Sequence, residues 1–466
     1  MTQSVVVQVG QCGNQVGCRF WDLALREHSH VNKKGLYDEA LSSFFRNVDS
    51  RKGDGRTCGV GGRIQHLKAR AVLVDMEEGV VNEILQGPLR EVFDSTQLLT
   101  DVSGSGNNWA VGHMTYGSAY REQIVEKLRR AAEHCDCLQC FFLIHSMGGG
   151  TGSGLGTRVL SLLEEEFPEV CRIVTSIYPS AEDDVITSPY NSVLAMRELT
   201  EHADCVLPVE NQSLVDIVSK IQHMSHGAKP GQVIRRDSAI ISGRGGLSAA
   251  EKPFDAMNNI VANLLLSITS SARFEGSLNM DLNEIAMNLV PFPRLHYLVP
   301  SLTPLYTLAD VSVPTRRLDQ MFSDAFSKDH QLIRADPKRS LYLACALMVR
   351  GNVQVSDLRR NIERPCFPVA RCQEKLKQKP TEAVAALRLV EPGGLEDGPV
   401  FGASRGSLPL PVGPGQQHLC EAHIRGAEGA FHQTLQEEGS PASLPACRGD
   451  GAELLLGGHR LSRITD

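Results

Sequence analysis

The 466-residue sequence lacks the features that would tie it to a membrane, to a nucleic acid or to a disulfide scaffold. No apolar run approaches the roughly 18 residues that a membrane-spanning helix needs. The first residues have neither the basic start nor the apolar stretch of a secretion signal. Charge of one sign is not in surplus: 47 basic residues against 54 acidic ones give −7, which excludes retention on nucleic acid or anionic lipid by bulk electrostatics. Aromatic residues are scarce, at 5%. Thirteen cysteines is an odd number without framework spacing, which suits reduced thiols. In Cys135-Asp-Cys137-Leu-Gln-Cys140 no second ligand pair completes a tetrahedral zinc set, so these thiols read as small side chains at a helix end and strand start. What is present is a chain 42% hydrophobic and 22% charged, with material for two or three domains, and it reads as soluble and cytosolic.

The organisation is legible as a repeated grammar. Residues 4–9 form a β-branched run, followed at once by Gly10-Gln-Cys-Gly13 and by a helical pattern with Val16, Phe20, Leu23 and Ala24 on one face. Comparable strands lie at 71–74 before Asp75, 141–144 before a glycine loop, 173–174, and 205–207 before Glu210-Asn211. Strands alternating with long helices predict an α/β fold: a parallel, Rossmann-like sheet covered on both faces, with ligands at the carboxyl ends of its strands. The expected boundaries are a nucleotide-binding domain over 1–211, a second, incomplete α/β domain over 212–364 that contains a central helix, and a tail over 365–466. A surface insertion is expected at about 222–252, a buried helix at 254–269 and an apolar strand at 341–349. In the tail nearly a quarter of positions are Gly or Pro, there are three Phe and no Trp or Tyr, and the expectation is loose coil.

The most informative segment is Ser146-Met-Gly-Gly-Gly-Thr-Gly-Ser-Gly154, between an apolar strand and an amphipathic helix. Consecutive glycines let backbone N–H groups approach an anion, and the helix presents its positive end. No Gly-x4-Gly-Lys-Ser/Thr follows, so phosphate charge must be met by amides, hydroxyls and a metal rather than by a lysine. The spacing of a dinucleotide fingerprint is also absent, and Thr151 and Leu155 stand where a nucleophile-elbow serine would need glycines. Asp75 and Glu77 follow a strand and suit magnesium held partly through water, although two acids there also suit a helix start. Asn107, Asn211 and Asn258 are amides able to read a ribose or a purine edge, or to cap a turn. Phe254 stands one helical turn before Asn258.

Together Gly10-Gln-Cys-Gly-Asn-Gln15, Gly-Asn-Asn-Trp-Ala110 with Gly112-His113, the Gly-Gly-Gly-Thr-Gly-Ser-Gly154 loop, Pro189-Tyr-Asn191 and Leu289-Val-Pro-Phe-Pro293 resemble the tubulin family, in the family's order, over residues 1 to about 364. The insertion, Cys135 to Cys140 and Asn258-Asn259-Ile-Val-Ala-Asn263 set it apart from the alpha, beta and gamma types. The resemblance implies GTP or GDP with Mg2+. In that reading Gln11 and Cys12 contact phosphate and base, and Ser146 with Gly149, Gly150, Thr151 and Gly152 wraps the phosphates. Glu77, with Asp75, serves the magnesium, Asn107 approaches phosphate or ribose, and Asp184 matches an acid near the ribose. Asn211 and Asn258 read guanine, and Phe254 stands where the family usually stacks a tyrosine. Ser188 replaces a ribose-contacting glutamate of beta-type subunits. Glu284, with Asp281 on the same helical face, would activate water on the nucleotide of the next subunit. The implied setting is the microtubule cytoskeleton, the centrosome and the centriole or basal body. The implied partners are alpha-, beta- and delta-type tubulins and centriolar proteins, without nucleic acid or membrane. The alternatives are a nucleotide-bound, non-polymerising regulator and a dinucleotide-dependent enzyme. Past Arg364 the resemblance stops, and exposed apolar surface is expected on the second domain.

Overall fold

Strand β1 (Gln3–Val9) is buried along its whole length, with Val5, Val7 and Val9 in one apolar cluster and Val6 in another, so both faces of its sheet are covered. The computed structural model describes residues 2–49, 59–180, 183, 185–226, 254–274, 280–290, 292–305, 317–335, 344–350, 353, 355–362 and 400–406, all within the compact unit Met1–His418. A short antiparallel hairpin, β2 (Phe45–Val48) and β3 (His66–Ala69), precedes β4 (Ala71–Asp75). With β5 (Leu98–Thr100), β6 (Leu138–Ser146), β7 (Cys171–Tyr178) and β8 (Cys205–Glu210), β1 and β4 form a six-stranded sheet of order β5-β4-β1-β6-β7-β8. Every pairing in it is parallel.

Helix α1 (Gly10–Val31) buries Val16, Phe20, Trp21 and Ala24 on one face, which fixes it against the sheet. The single turn α2 (Glu39–Ser42) and α3 (Glu78–Gln86) share that side, through Leu41 and Ile84. On the other face, after the turn α4 (Gly117–Ala119), lie α5 (Arg121–Glu133), α6 (Gly156–Glu166) and α7 (Ser188–His202). The chain runs outward from β1 through β4 to β5 and then returns to the far side of β1 as β6. Strand order therefore reverses between β1 and β6, the place where open parallel sheets bind ligands.

The second domain begins with α8 (Asn211–His226), α9 (Asp255–Ile268), α10 (Ser270–Arg273) and α11 (Leu282–Leu289). It continues through β9 (Leu298–Thr303), α12 (Leu318–Ala325), β10 (Ala344–Arg350), α13 (Val355–Ile362) and β11 (Val400–Gly406). The helix and strand expected at 254–269 and 341–349 are present with boundaries shifted by one to three residues. Helix α8 extends through residue 226, so the first five residues of the expected insertion are helical; the remainder, from 227 to 252, lies outside the described residues. Within the segment expected to be loose coil, Val400–Gly406 is a strand between β9 and β10, antiparallel to both. Two strands with free edges on either side give this segment hydrogen-bond partners that composition does not reveal. Among the described residues no helix is long and apolar enough to cross a membrane.

One apolar cluster runs from Val16, Phe20 and Trp21 of α1 through Ile260, Leu264 and Leu265 of α9 to Leu298 of β9 and Ala346 of β10, so the two domains share a core. A buried ionic knot crosses the same seam. Glu27 of α1 bonds Arg273 of α10 at 2.6 Å and Arg350 of β10 at 3.2 Å. Arg273 also donates to Thr269 Oγ1 at 3.0 Å and to the Leu266 carbonyl at 2.6 Å. Burial alone would raise the Glu27 pKa, but the two guanidiniums outweigh it and hold the carboxyl below its ordinary value of 4.5. A lowered carboxyl pKa contributes stability that is complete above the unfolded value and is lost as pH falls through the folded one. Glu27→Gln leaves two buried cations short of a counter-charge and is expected to cost about 3–5 kcal/mol. Urea unfolding at pH 7 measures that loss, and the difference from wild type should shrink below about pH 4.

Candidate nucleotide site

The loops after β1 and β6 meet at the reversal of strand order, and glycine makes the meeting possible. Gly10 turns from β1 into α1 with φ +74°, and a Cβ there would lie 3.1 Å from the Gly152 amide nitrogen and 3.3 Å from its Cα. The opposite case is Gly149, where an added Cβ meets nothing closer than Asn107 Oδ1 at 3.8 Å and Ser146 Oγ at 3.9 Å. Gly149 thus forms the floor of a cradle with polar walls. Beyond it the chain passes through a π-helical turn, Thr151–Leu155, before α6, and a second π-helical turn, Val111–Tyr116, packs against it. Such turns are frequent at functional sites.

Side-chain amides hold these loops together. Asn191, in the first turn of α7, donates to the Asn107 and Gly148 carbonyls at 2.8 Å each and accepts from the Trp109 amide at 2.9 Å. Thr187 Oγ1 adds a bond to the Asn107 carbonyl at 2.8 Å, which supports Asn107 in its left-handed conformation at φ +54°. Asn14 donates to the Gly10 carbonyl at 3.0 Å and the Val74 carbonyl at 3.3 Å, tying together the ends of β1 and β4. Ser105 Oγ lies 2.9 Å from Thr151 Oγ1 and joins the loop after β5 to the glycine loop. The motif Pro189-Tyr-Asn191 was the sequence signal for one of these clamps. Asn14 lies in the motif Gly10-Gln-Cys-Gly-Asn-Gln15, whereas Ser105 and Thr187 carried no signal, because their partners are a hydroxyl and a backbone group from distant loops.

The expected contact residues stand at strand and helix ends, and the structure brings Gly10 against Gly152, and Asn107 and Ser146 around Gly149. Gln11 is exposed in the first turn of α1, and Cys12 beside it is half-buried, its thiol pushed up to about 12 by burial and therefore neutral. Ser146 ends β6, Asn211 opens α8 directly after β8, and Glu77 lies exposed after β4 with its carboxylate beside Gly104. Asp75 is buried, and its Oδ2 has no hydrogen-bond partner. Burial is the main cause that raises its pKa to about 6. Phe254 is 58% exposed and adopts φ +93° at the start of α9, a conformation costly for a bulky residue. Asn258 follows one turn later, its amide donating to the Phe254 carbonyl at 2.8 Å. Arg19 Nε donates to Asn259 Oδ1 at 3.2 Å and pins that turn to α1. Asp184 lies outside the described residues.

Residues 10–15, 75–78, 104–108, 146–152, 211–212 and 254–258 contain no Lys or Arg. His145, just before the loop, is buried and held neutral, with a pKa of about 4. An anion in the cradle therefore meets backbone amides, hydroxyls and helix ends. Asp281 and Glu284 are elsewhere. The Asp281 carboxylate caps α11 by accepting from the Leu282 amide at 2.9 Å, and it also accepts from Gln139 at the start of β6. Asp281 is thus the N-cap of α11, and Glu284 lies in the first turn of the same helix. Gln139 and Ser146 stand seven residues apart on β6, a rise of about 23 Å. The start of α11 is therefore at the opposite end of the sheet from the cradle of the same chain.

A model of the Tubulin/FtsZ family GTPase domain matches residues 3–219, and one of the tubulin C-terminal domain matches residues 293–366. The chain is 76% identical over 366 residues to the tubulin epsilon chains of Homo sapiens and Mus musculus, covering 78% of this chain and 77% of each of those proteins. The chain belongs to the tubulin family. It is also 32% identical over 366 residues to a tubulin beta chain of Encephalitozoon cuniculi (strain GB-M1), covering 77% of this chain and 74% of that protein. Its first domain is the family's guanine-nucleotide-binding GTPase domain, and the protein is a cytoskeletal one that interacts with other tubulins. Gly10→Ala combines left-handed strain of about 1–2 kcal/mol with a Cβ against Gly152. It is expected to weaken GDP binding by about tenfold or more in isothermal titration, with the far-ultraviolet circular dichroism unchanged.

Proposed function

We propose that the chain is a GTP-binding structural subunit of centrioles and basal bodies, acting in triplet-microtubule formation and centrosome duplication, and that its nucleotide sits in the cradle floored by Gly149. The carrying observation is that cradle: a glycine whose nearest neighbours are the polar side-chain atoms of Asn107 and Ser146, at the reversal of strand order. In this reading the amides of Gly149, Gly150, Thr151 and Gly152 and the Ser146 hydroxyl hold the phosphates, with Gln11 and Cys12 beside them. Asn107 approaches phosphate or ribose, and Asp184 lies near the ribose. Asn211 and Asn258 offer donor and acceptor together to the guanine edge, while Phe254 supplies a face for stacking. Its strained backbone and high exposure are what a stacking platform waiting for a base would show. The centriolar setting follows from the likeness to tubulin epsilon chains.

Mg2+ fits the residues present. Asp75 brings a buried carboxylate oxygen without a partner, Glu77 is an exposed acid two residues on, and no basic side chain occupies the segments that line the cradle. When bound, the ion would neutralise charge on the phosphates. Asp75 and Glu77 would orient it, directly or through water. Glu284 would act on the nucleotide of a neighbouring subunit, positioning water and accepting its proton, since it stands at the opposite end of the sheet from its own chain's cradle. Met287 and Phe292, at 64% and 58% exposure, offer apolar surface on and just after α11, as an inter-subunit contact would use.

Mass spectrometry of ligand released from purified protein should find GDP or GTP; NAD would overturn the reading. Co-sedimentation with alpha- and beta-tubulin polymers separates a lattice subunit, which pellets with them, from a non-polymerising regulator. Loss of stacking in Phe254→Ala is expected to cost about 1–3 kcal/mol, roughly five- to 150-fold in guanine-nucleotide affinity, while Phe254→Tyr keeps it. Glu284→Ala should leave GTP binding intact and slow hydrolysis in a mixed longitudinal assembly; equal hydrolysis by mutant and wild type would remove the role.

A further inference from the structure

The second domain's sheet is completed by a segment from beyond the stretch that matches the family. The C-terminal family domain matches only to residue 366, yet the middle strand of the three is Val400–Gly406. Residues 400–406 pair with residues 350–344 of β10 on one side and, from 401, with residues 303–298 of β9 on the other, antiparallel in both ladders. β9 and β10 do not bond each other, because a strand between them holds them about 9.5 Å apart. The outer edge of β9 is already used: the Leu332 amide donates to the Pro300 carbonyl at 3.0 Å, and Ser301 bridges Gln331. Only its inner edge is left for a partner. β9 and β10 are buried throughout, and each buried N–H or C=O left without a partner costs about 1–3 kcal/mol. In the sequence the strand is bounded by Pro399 and Pro409, which have no amide to donate, and contains no proline itself.

We propose that the gap between β9 and β10 is a strand-acceptor slot, filled in cis by Val400–Gly406, and that it accepts the same segment in trans from a second copy of this chain when the cis strand is disabled. The tail then has a defined role, to supply the strand without which the second domain's sheet falls into two separated strands. Recognition is by main-chain hydrogen bonds along both edges, so the fitting partner is an extended, proline-free segment running antiparallel to β9 and β10. The slot is distinct from the nucleotide cradle and does not depend on the guanine reading.

Hydrogen exchange on the full wild-type chain tests this directly. Amides of residues 400–406 should exchange at least tenfold more slowly than those of residues 385–395, in step with β9 and β10. Exchange at the rate of residues 385–395 overturns the proposal. Ala403→Pro, which removes an amide at the centre of both ladders, should abolish protection in β9 and β10, whereas Gln416→Pro should not; unchanged protection in the first variant likewise overturns it. A fluorescein-labelled peptide of residues 398–408 should bind the Ala403→Pro chain at least tenfold more tightly than wild type. Failure to bind an Ala403→Pro chain that keeps wild-type exchange in β1 and β6 sinks the trans site. If β1 and β6 also lose protection, the wild-type rates alone decide the cis strand, and the trans site is decided by whether excess unlabelled peptide slows exchange in β9 and β10 of the wild-type chain.

Discussion

The contact between Gly10 and Gly152 is the constraint on which the site depends. Two parallel strands at the reversal of strand order deliver their loops to the same few ångströms, and only residues without side chains fit there. Once those loops touch, Gly149 is left between the polar side chains of Asn107 and Ser146. The amide clamps of Asn191 and Asn14 then hold the surrounding loops to that geometry through backbone carbonyls. The cradle is thus preorganised by the scaffold, and its electrostatics come from dipoles rather than from cationic side chains.

The same architecture explains why the chain contains a nucleotide site and a candidate hydrolytic group that cannot meet within it. A parallel sheet has two chemically different ends. The carboxyl ends carry the cradle, while Asp281, bonded to Gln139 near the amino end of β6, fixes the start of α11 at the other. Head-to-tail stacking of such subunits would bring the two ends together. The rigidity this needs is supplied by the seam between the domains, where α1 and α9 share one apolar core and Glu27 gathers Arg273 and Arg350.

Much of this was legible along the chain. β-branched runs ending in glycine or acid loops marked the strands of the first domain, since a strand buried on both faces needs a continuous apolar run. The glycine loop marked the candidate phosphate site, because no other common role asks for so many glycines between a buried strand and a helix. Cys12, Ser146, Asn211 and Phe254 stand at strand and helix ends, as their neighbours in sequence indicated. Less legible were residues whose meaning depends on partners far away: Ser105 against Thr151, Thr187 under Asn107, and Asp281 against Gln139. The Phe254 backbone strain had no sequence signature at all.

The sequence by itself determined the alternation of strands and helices, the glycine spacing that excludes a lysine-based phosphate loop, and the family to which the chain belongs. These are local properties, carried by periodicity and by residues a few positions apart. Tertiary structure alone decided which glycine packs against backbone, which asparagines act as clamps, and that Asp281 is engaged while Phe254 is exposed. It also decided that Val400–Gly406, in a stretch whose composition reads as coil, lies between β9 and β10. The physical reason is common to all of these: a backbone or side-chain polar group takes the partner that folding brings within hydrogen-bond reach, and nothing in the neighbouring residues announces which partner that is.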